Sequence, residues 1–285
     1  MSNNTVILLF SSPDKKGIIN KITDFIFEFG GNIIEMDQYV DRENSIFFMR
    51  VVWELNDFKL TKEQIYEKFD PVGRLFNGRW KFYFSGKKSN IVIFVSKQLH
   101  CLQELLWRYE LGDLEIDIKA IFSNHLEAKE ISKQHNIPFY HFPINKENKD
   151  EQERKESNII KELDTDTIIL ARYMQILSPL MVNEYPNKII NIHHSFLPAF
   201  VGGNPYKQAY ERGVKIIGAT SHFVTEELDQ GPIIHQDVIR ITHRDNLEDI
   251  KTKGRDLERI VLAEAIKYHT EHRILVFGRK TIIFK

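Results

Sequence analysis

The 285-residue chain has one cysteine, Cys101. A single thiol excludes an intrachain disulfide and any multi-cysteine zinc centre. An excess of either charge is also missing. Lys and Arg number 39 and Asp and Glu 40, for a net charge of -1. Such a balance offers no electrostatic footprint for a nucleic-acid backbone or an anionic membrane, so neither is an expected partner. No apolar run reaches the ~20 residues that span a bilayer. The start, Met1-Ser2-Asn3-Asn4-Thr5 before a short apolar run at 6–10, lacks the basic region and cleavage site of a secretory signal. A cytoplasmic protein is expected. Nucleotide signatures are absent too: neither G-x-G-x-x-G nor G-x-x-x-x-G-K-[ST] occurs, and G-x-S-x-G is missing. The 11 histidines supply no metal motif. His193 and His194 are adjacent and cannot both reach one ion from a regular strand, while His222, His235 and His243 have no short ligand spacing. No metal site is expected.

Hydrophobic residues make up 42% of the chain and charged residues 28%, the balance of a folded globular protein. The length predicts about two domains at ~150 residues each. Residues 6–10 form a β-branched and aromatic run that predicts a strand. Ile18, Ile22, Phe25, Ile26 and Phe29 recur at helical spacing, and Gly30-Gly31 ends that helix. Strands follow at 32–40 and 45–53. A helix over 61–69 opens with Thr61 and Gln64 in the spacing of a capping box, and a strand covers 80–84. The order βαββαβ is ferredoxin-like. It assigns a first domain to 1–85, a Gly/Ser/Lys linker to 86–90 and a second domain to 91–285.

The second domain alternates strands (91–95, 116–122, 137–142, 167–171, 188–193) with helices (99–108, 126–135), an α/β pattern with a mainly parallel sheet. The charge-dense stretch 145–158 reads as a solvated loop and helix start. Long strands at 214–224 and 233–241, a helix at 247–269 and a hairpin about Gly278-Arg279 complete the chain. Ligands of such sheets lie at the carboxyl ends of strands, which singles out 171–177 and 191–195.

The chemistry concentrates in three places. In Asn191-Ile192-His193-His194-Ser195-Phe196-Leu197-Pro198, strand alternation points Asn191 and His193 one way and His194 the other. An amide donor beside an imidazole suits oxyanion and proton handling, although a polar strand end with satisfied histidines is the commoner arrangement. Leu228-Asp229-Gln230-Gly231-Pro232 offers a carboxylate that is, by itself, equally a turn residue. Residues 195–205, with Pro198, Gly202, Gly203 and Pro205, read as a shaped loop, either a connection or a substrate collar. Cys101 stands among leucines at a helix start and reads as a small core residue.

Taken together, Asn191-Ile192-His193, Ser195-Phe196-Leu197-Pro198 and Asp229 with Gly231 resemble the folate-dependent formyltransferase superfamily, in which an Asn, a His and an Asp form the catalytic group. The longer strings 189–200 and 209–220 resemble its deformylase branch, whose members hydrolyse the folate. Pro13-Asp14-Lys15-Lys16-Gly17 within the βαββαβ unit resembles an ACT domain. The resemblance covers nearly the whole chain. It implies a ferredoxin-like ACT domain followed by a Rossmann-like formyltransferase domain, and hydrolysis of 10-formyltetrahydrofolate to tetrahydrofolate and formate for one-carbon and purine metabolism. On it, Asn191, His193 and Asp229 are catalytic. Met174, Gln175, Ile176, Leu177, Ser195, Gly202, His222 and Glu226 contact substrate, with His222 either orienting Asp229 or bonded to backbone. It further implies no required cofactor, an amino-acid effector at the ACT domain, and a homo-oligomer, dimer or tetramer. The alternatives are a formyltransferase with an amine acceptor and a regulatory amino-acid-binding protein with a silent second domain.

One absence separates the first two enzymes. After the strand at 91–95, where glycinamide ribonucleotide formyltransferases hold phosphate in a Gly-rich loop, this chain reads Ser96-Lys97-Gln98-Leu99-His100. Water is then the simplest acceptor. Two departures from the family pattern, Gln175 for an arginine and Asn204 for another, each remove a positive charge near the expected substrate.

Overall fold

The computed structural model describes residues 4–198 and 204–285. The chain divides into two units: Met1–Lys87 with His272–Leu275 and Ile282–Lys285, and Lys88–Glu271 with Val276–Thr281. The expected Gly202 lies outside the described residues, as does the middle of the expected collar loop at 199–203.

The first unit follows the βαββαβ order with β1 (Thr5–Pro13), α1 (Ile18–Glu28), β2 (Asn32–Asp41), β3 (Ile46–Glu54), α2 (Lys62–Leu75) and β4 (Arg79–Phe84). Its sheet has the order β2-β3-β1-β4, with every pairing antiparallel. The apolar spacing in α1 buries Ile18, Ile22, Phe25 and Ile26 against β-strand residues such as Leu8, Phe10 and Trp53. The capping box forms as the sequence predicts, with Thr61 and Gln64 satisfying each other's backbone N–H. α2 then runs past the expected end at Phe69 and through Pro71, with Ile65, Phe69 and Gly73 buried.

In the second unit come β5 (Ser89–Val95), α3 (His100–Leu111), β6 (Ile116–Ser123), α4 (Lys129–Gln134), β7 (Phe139–His141), α5 (Lys149–Glu162) and β8 (Thr167–Leu170). They are followed by α6 (Pro179–Glu184), β9 (Ile189–His193), α7 (Pro205–Arg212), β10 (Ile216–Phe223), β11 (Ile233–Arg240) and α8 (Leu247–Thr270). The seven-stranded sheet has the order β11-β10-β9-β8-β5-β6-β7. Strands β5 to β9 are parallel, and β10 and β11 extend the sheet antiparallel. β8 is buried throughout, as its unbroken apolar run requires of a strand covered on both faces. Strand order reverses between β5 and β8, which opens a crevice at their carboxyl ends. Among the described residues no helix is long and apolar enough to cross a membrane.

Three expectations change. Ser89 and Asn90, read as linker, belong to β5. The stretch at 145–158, read as solvated, enters α5, which buries Glu153, Glu156, Ser157 and Ile160. Its inward face carries carboxylates, so no apolar stripe marked it. The closing hairpin, β12 (Ile274–Phe277) with β13 (Lys280–Ile283), has its root in the first unit and its tip in the second. At the root, Arg50 Nε donates to His272 O at 3.1 Å, and Tyr83 stacks on His272 with ring centroids 3.6 Å apart.

Candidate active site

Asn191 and His193 leave β9 at its carboxyl end, and β10 pairs antiparallel with it in a register that sets His222 opposite Asn191 and Thr220 opposite His193. The turn after β10 then brings Asp229 back to them. That turn needs its glycine, because a Cβ on Gly231 would sit 1.7 Å from Phe223 O. Asp229 itself takes a left-handed φ of 57°, a conformation that Asp tolerates better than most residues.

The three expected catalytic residues are thereby brought together. Asp229 Oδ2 lies 3.3 Å from His193 Nδ1, and Oδ1 lies 3.6 Å from His222 Nε2. The His193 ring beside it is the main cause that holds the Asp229 carboxyl well below the usual carboxylate range. His193 is buried, and its Nε2 has no hydrogen-bond partner. His222 Nδ1 lies 2.8 Å from Phe223 O, so that nitrogen carries the proton. Its Nε2 is then an acceptor, and Asn191 Nδ2 donates to it at 3.2 Å. His222 thus orients the Asn191 amide at hydrogen-bond distance and meets Asp229 only at longer range. Of the two expectations for His222, orienting Asp229 or bonding to backbone, the backbone bond forms; the bond to Asn191 was not foreseen, because it depends on strand register.

These side chains line a cleft of about 760 Å³ at the switch point. Met174, Gln175, Ile176, Leu177, His222 and Glu226 of the expected substrate set also line it, as does Asn204. Ser195 does not: it is buried and lines a smaller apolar pocket of about 120 Å³ with Phe196 and Tyr206. His194 lines both cavities. Burial, with the Arg172 charge second, pushes its imidazole down to about 4, so it is neutral at pH 7.

The polar residues after β5 are structural posts. Ser96 Oγ donates to Asn124 Oδ1 at 2.8 Å and accepts from Met174 N–H at 2.9 Å. Arg172, at a left-handed φ of 62°, donates to Gln98 Oε1 at 2.9 Å. Its Nε lies 3.4 Å from the buried Glu258 of α8. Burial would raise the Glu258 carboxyl, but bonds from His100 and Tyr206 and the Arg172 charge outweigh it and leave it lowered. His100, Cys101 and Glu258 have ligand atoms within 4.8 Å of one another, the one such trio among the described residues. Its carboxylate is already saturated by a histidine, a tyrosine and an arginine, which is a hydrogen-bonded knot rather than a cation seat. Burial pushes the Cys101 thiol well up, as fits a core residue.

The formyl transferase family model matches residues 89–266 and the ACT domain model residues 6–68. The formyltetrahydrofolate deformylase of Bacillus subtilis is 49% identical over 97% of this chain and 93% of its own. That of Synechocystis is 48% identical over the full length of both. The crystal structure of a formyltetrahydrofolate deformylase from Pseudomonas syringae superposes with a TM-score of 0.98 at 40% identity, covering 100% of this chain and 96% of that one. With both domain models in order and end-to-end similarity of sequence and structure, the chain belongs to the formyltetrahydrofolate deformylase family.

Proposed function

We propose that this chain hydrolyses 10-formyltetrahydrofolate to tetrahydrofolate and formate, with Asn191, His193 and Asp229 as the reacting side chains. The observation that carries this reading is the His193 ring, backed by the Asp229 carboxylate on Nδ1 and left without a partner on Nε2, beside an Asn191 amide that is oriented by His222.

The pterin end enters between 174–177 and the loop at 226–229, and the formyl carbonyl faces Asn191 and His193. Water attacks the formyl carbon as its proton passes to His193 Nε2, with Asp229 compensating the positive ring that results. The carbonyl π electrons move to oxygen. Asn191 Nδ2, with one N–H on His222 and one to spare, and the protonated His193 stabilise that oxyanion. Collapse breaks the carbon–N10 bond, His193 returns the proton to N10, and formic acid leaves to ionise as formate. A single oxyanion donor is worth ~2.7–4 kcal/mol in such sites. Each proton has a protein group to hold it, so the sequence of steps calls for no resident cofactor. Ser96 is committed to Asn124 and Met174 and Arg172 to Gln98 and Glu258. Neither side chain is free to seat the phosphate of an acceptor, and Lys97 beside them in the cleft has no glycine-rich loop to complete such a seat, which favours water.

The formate serves one-carbon and purine metabolism in the cytoplasm. The ACT domain binds an amino-acid effector, and the protein assembles as a homo-oligomer, dimer or tetramer; calorimetric titration with free amino acids and sedimentation test these two points. The decisive assay mixes the protein with 10-formyltetrahydrofolate and no acceptor and follows formate. Steady release is expected, and release only when an amine is added identifies a transferase instead. Asp229→Asn is expected to fold normally and lose at least ~10²-fold in kcat, on the scale of one charge-stabilising group. Near wild-type turnover by that variant removes Asp229 from the reaction.

A further inference from the structure

The cleft wall at 173–177 belongs to no helix or strand, so its shape depends on the bonds that pin it. Ser96 Oγ holds Met174 N–H at the front. The rear is held by α5. Glu153 takes the Ser178 N–H on both carboxylate oxygens, at 3.0 and 3.1 Å, and the Glu156 carboxyl and the Tyr173 hydroxyl act electrostatically on each other. The two glutamates are one helical turn apart and share a face. They are 4% and 1% exposed. Burying two carboxylates side by side is expensive, and a pair of apolar residues would fill the same space at less cost. Glu156 even keeps one oxygen, Oε2, without a hydrogen-bond partner.

We propose that Glu153 and Glu156 are positioning residues for the folate, holding the 173–178 segment in the shape that receives substrate. The inference rests on the folate reading above and names the helix behind the site as part of its specificity. Burial, with the neighbouring Glu153 charge second, pushes the Glu156 carboxyl up to about 8. At neutral pH it is therefore mainly a neutral acid. Glu153 on the same helix and Tyr173 on the facing segment are the ionisable groups that act on it. Lys149, 3.9 Å from Glu153 and half-buried, is the cation on Glu153's own side. Ionisation of Glu156 sets two like charges on one face of α5, directly behind the 173–178 segment. The cost falls on substrate binding, because neither glutamate touches the reacting atoms.

The test is the pH profile of KM and kcat for wild type, Glu156→Gln and Glu153→Gln with 10-formyltetrahydrofolate. The wild-type KM is expected to rise from about pH 7 to about pH 9, the span over which a carboxyl with a pKa near 8 ionises. Glu156→Gln, which keeps the neutral form at every pH, should lose that rise. Glu153→Gln should raise KM roughly tenfold at neutral pH with kcat little changed, the weight of one hydrogen bond to a charged acceptor. A KM for Glu156→Gln that climbs in parallel with wild type overturns the proposal, as does a wild-type KM in Glu153→Gln. Loss of thermal stability in both variants with unmoved KM profiles means a structural role alone and overturns it too. Hydrogen exchange of the Ser178 amide in unliganded protein gives an answer that needs no turnover. Faster exchange in Glu153→Gln than in wild type at the same pH supports the grip, and equal exchange overturns it. If wild type releases no formate, the folate reading fails by itself, and the exchange result still decides whether α5 pins the segment.

Discussion

Gly231 shows how much of the site is held by single atoms. With an ideal Cβ only 1.7 Å from Phe223 O, no side-chain rotation relieves the clash, since the obstacle is backbone. The same approach permits Phe223 N–H to donate to Pro232 O at 2.9 Å, which closes the turn that carries Asp229. Gly231→Ala is expected to cost at least the upper end of the ~1–3 kcal/mol typical of overpacking and to displace Asp229 from His193. Thermal melting and formate release should both suffer, and a variant with wild-type Tm and kcat would show the turn to be unimportant. Strand alternation put Asn191 and His193 on one face, but these two and Asp229 were singled out as a group only by the family resemblance, because each local pattern alone read equally as a polar strand end or a turn. The His222–Asn191 bond was not, because it needs the β9–β10 register. Nor was the departure of Ser195 from the cleft, which follows from how the chain turns beyond His193.

Among the elements, α1 was read nearly to both ends from its apolar period. α2 was read at its capped start but not at its end, because it continues through Pro71 to Leu75. α5 was the element most misjudged, and the reason is chemical: its buried face is Glu153, Glu156, Ser157 and Ile160, so binary patterning saw only charge. The burial that hid it also sets a pH dependence. The Glu156 pKa is raised in the folded chain, so its contribution to stability is full below the ordinary carboxylate range and is lost as pH rises through about 8. Asp229, with a depressed pKa, has the opposite sign: its contribution holds above the ordinary value and is lost as pH falls toward the depressed one. Wild-type stability in urea is therefore expected to decline from about pH 5 to about pH 8, and Glu156→Gln should flatten that decline. An identical slope in the two proteins would mean that Glu156 does not titrate as described.

For the molecule as a whole, sequence order suggested that the first folding unit ends near residue 85, yet its last pieces arrive at 272–275 and 282–285. Local periodicity carries no information about a partner some two hundred positions away, so the hairpin at the end of the chain was legible as a hairpin but not as to its owner. The contacts it makes in the first unit are substantial. Arg50, 5% exposed in the middle of β3, gives its Nε–H to His272 O. Glu35, whose carboxyl is held below its usual range chiefly by Arg50, also faces Arg273 at 3.7 Å. Phe284 is 2% exposed. A chain cut after Glu271 loses that phenyl ring, itself worth ~3–5 kcal/mol by the scale of aromatic-to-alanine changes, and strips the buried Arg50 of a carbonyl partner. Removal of 272–285 is therefore expected to destabilise the first unit selectively. Hydrogen exchange should accelerate across β1, β3 and β4 while β5, β6 and β8 keep their protection. Phe284→Ala in the full chain should reproduce part of the effect. Unchanged protection of β3 in the shortened chain would show that the first unit is complete without the C-terminal residues.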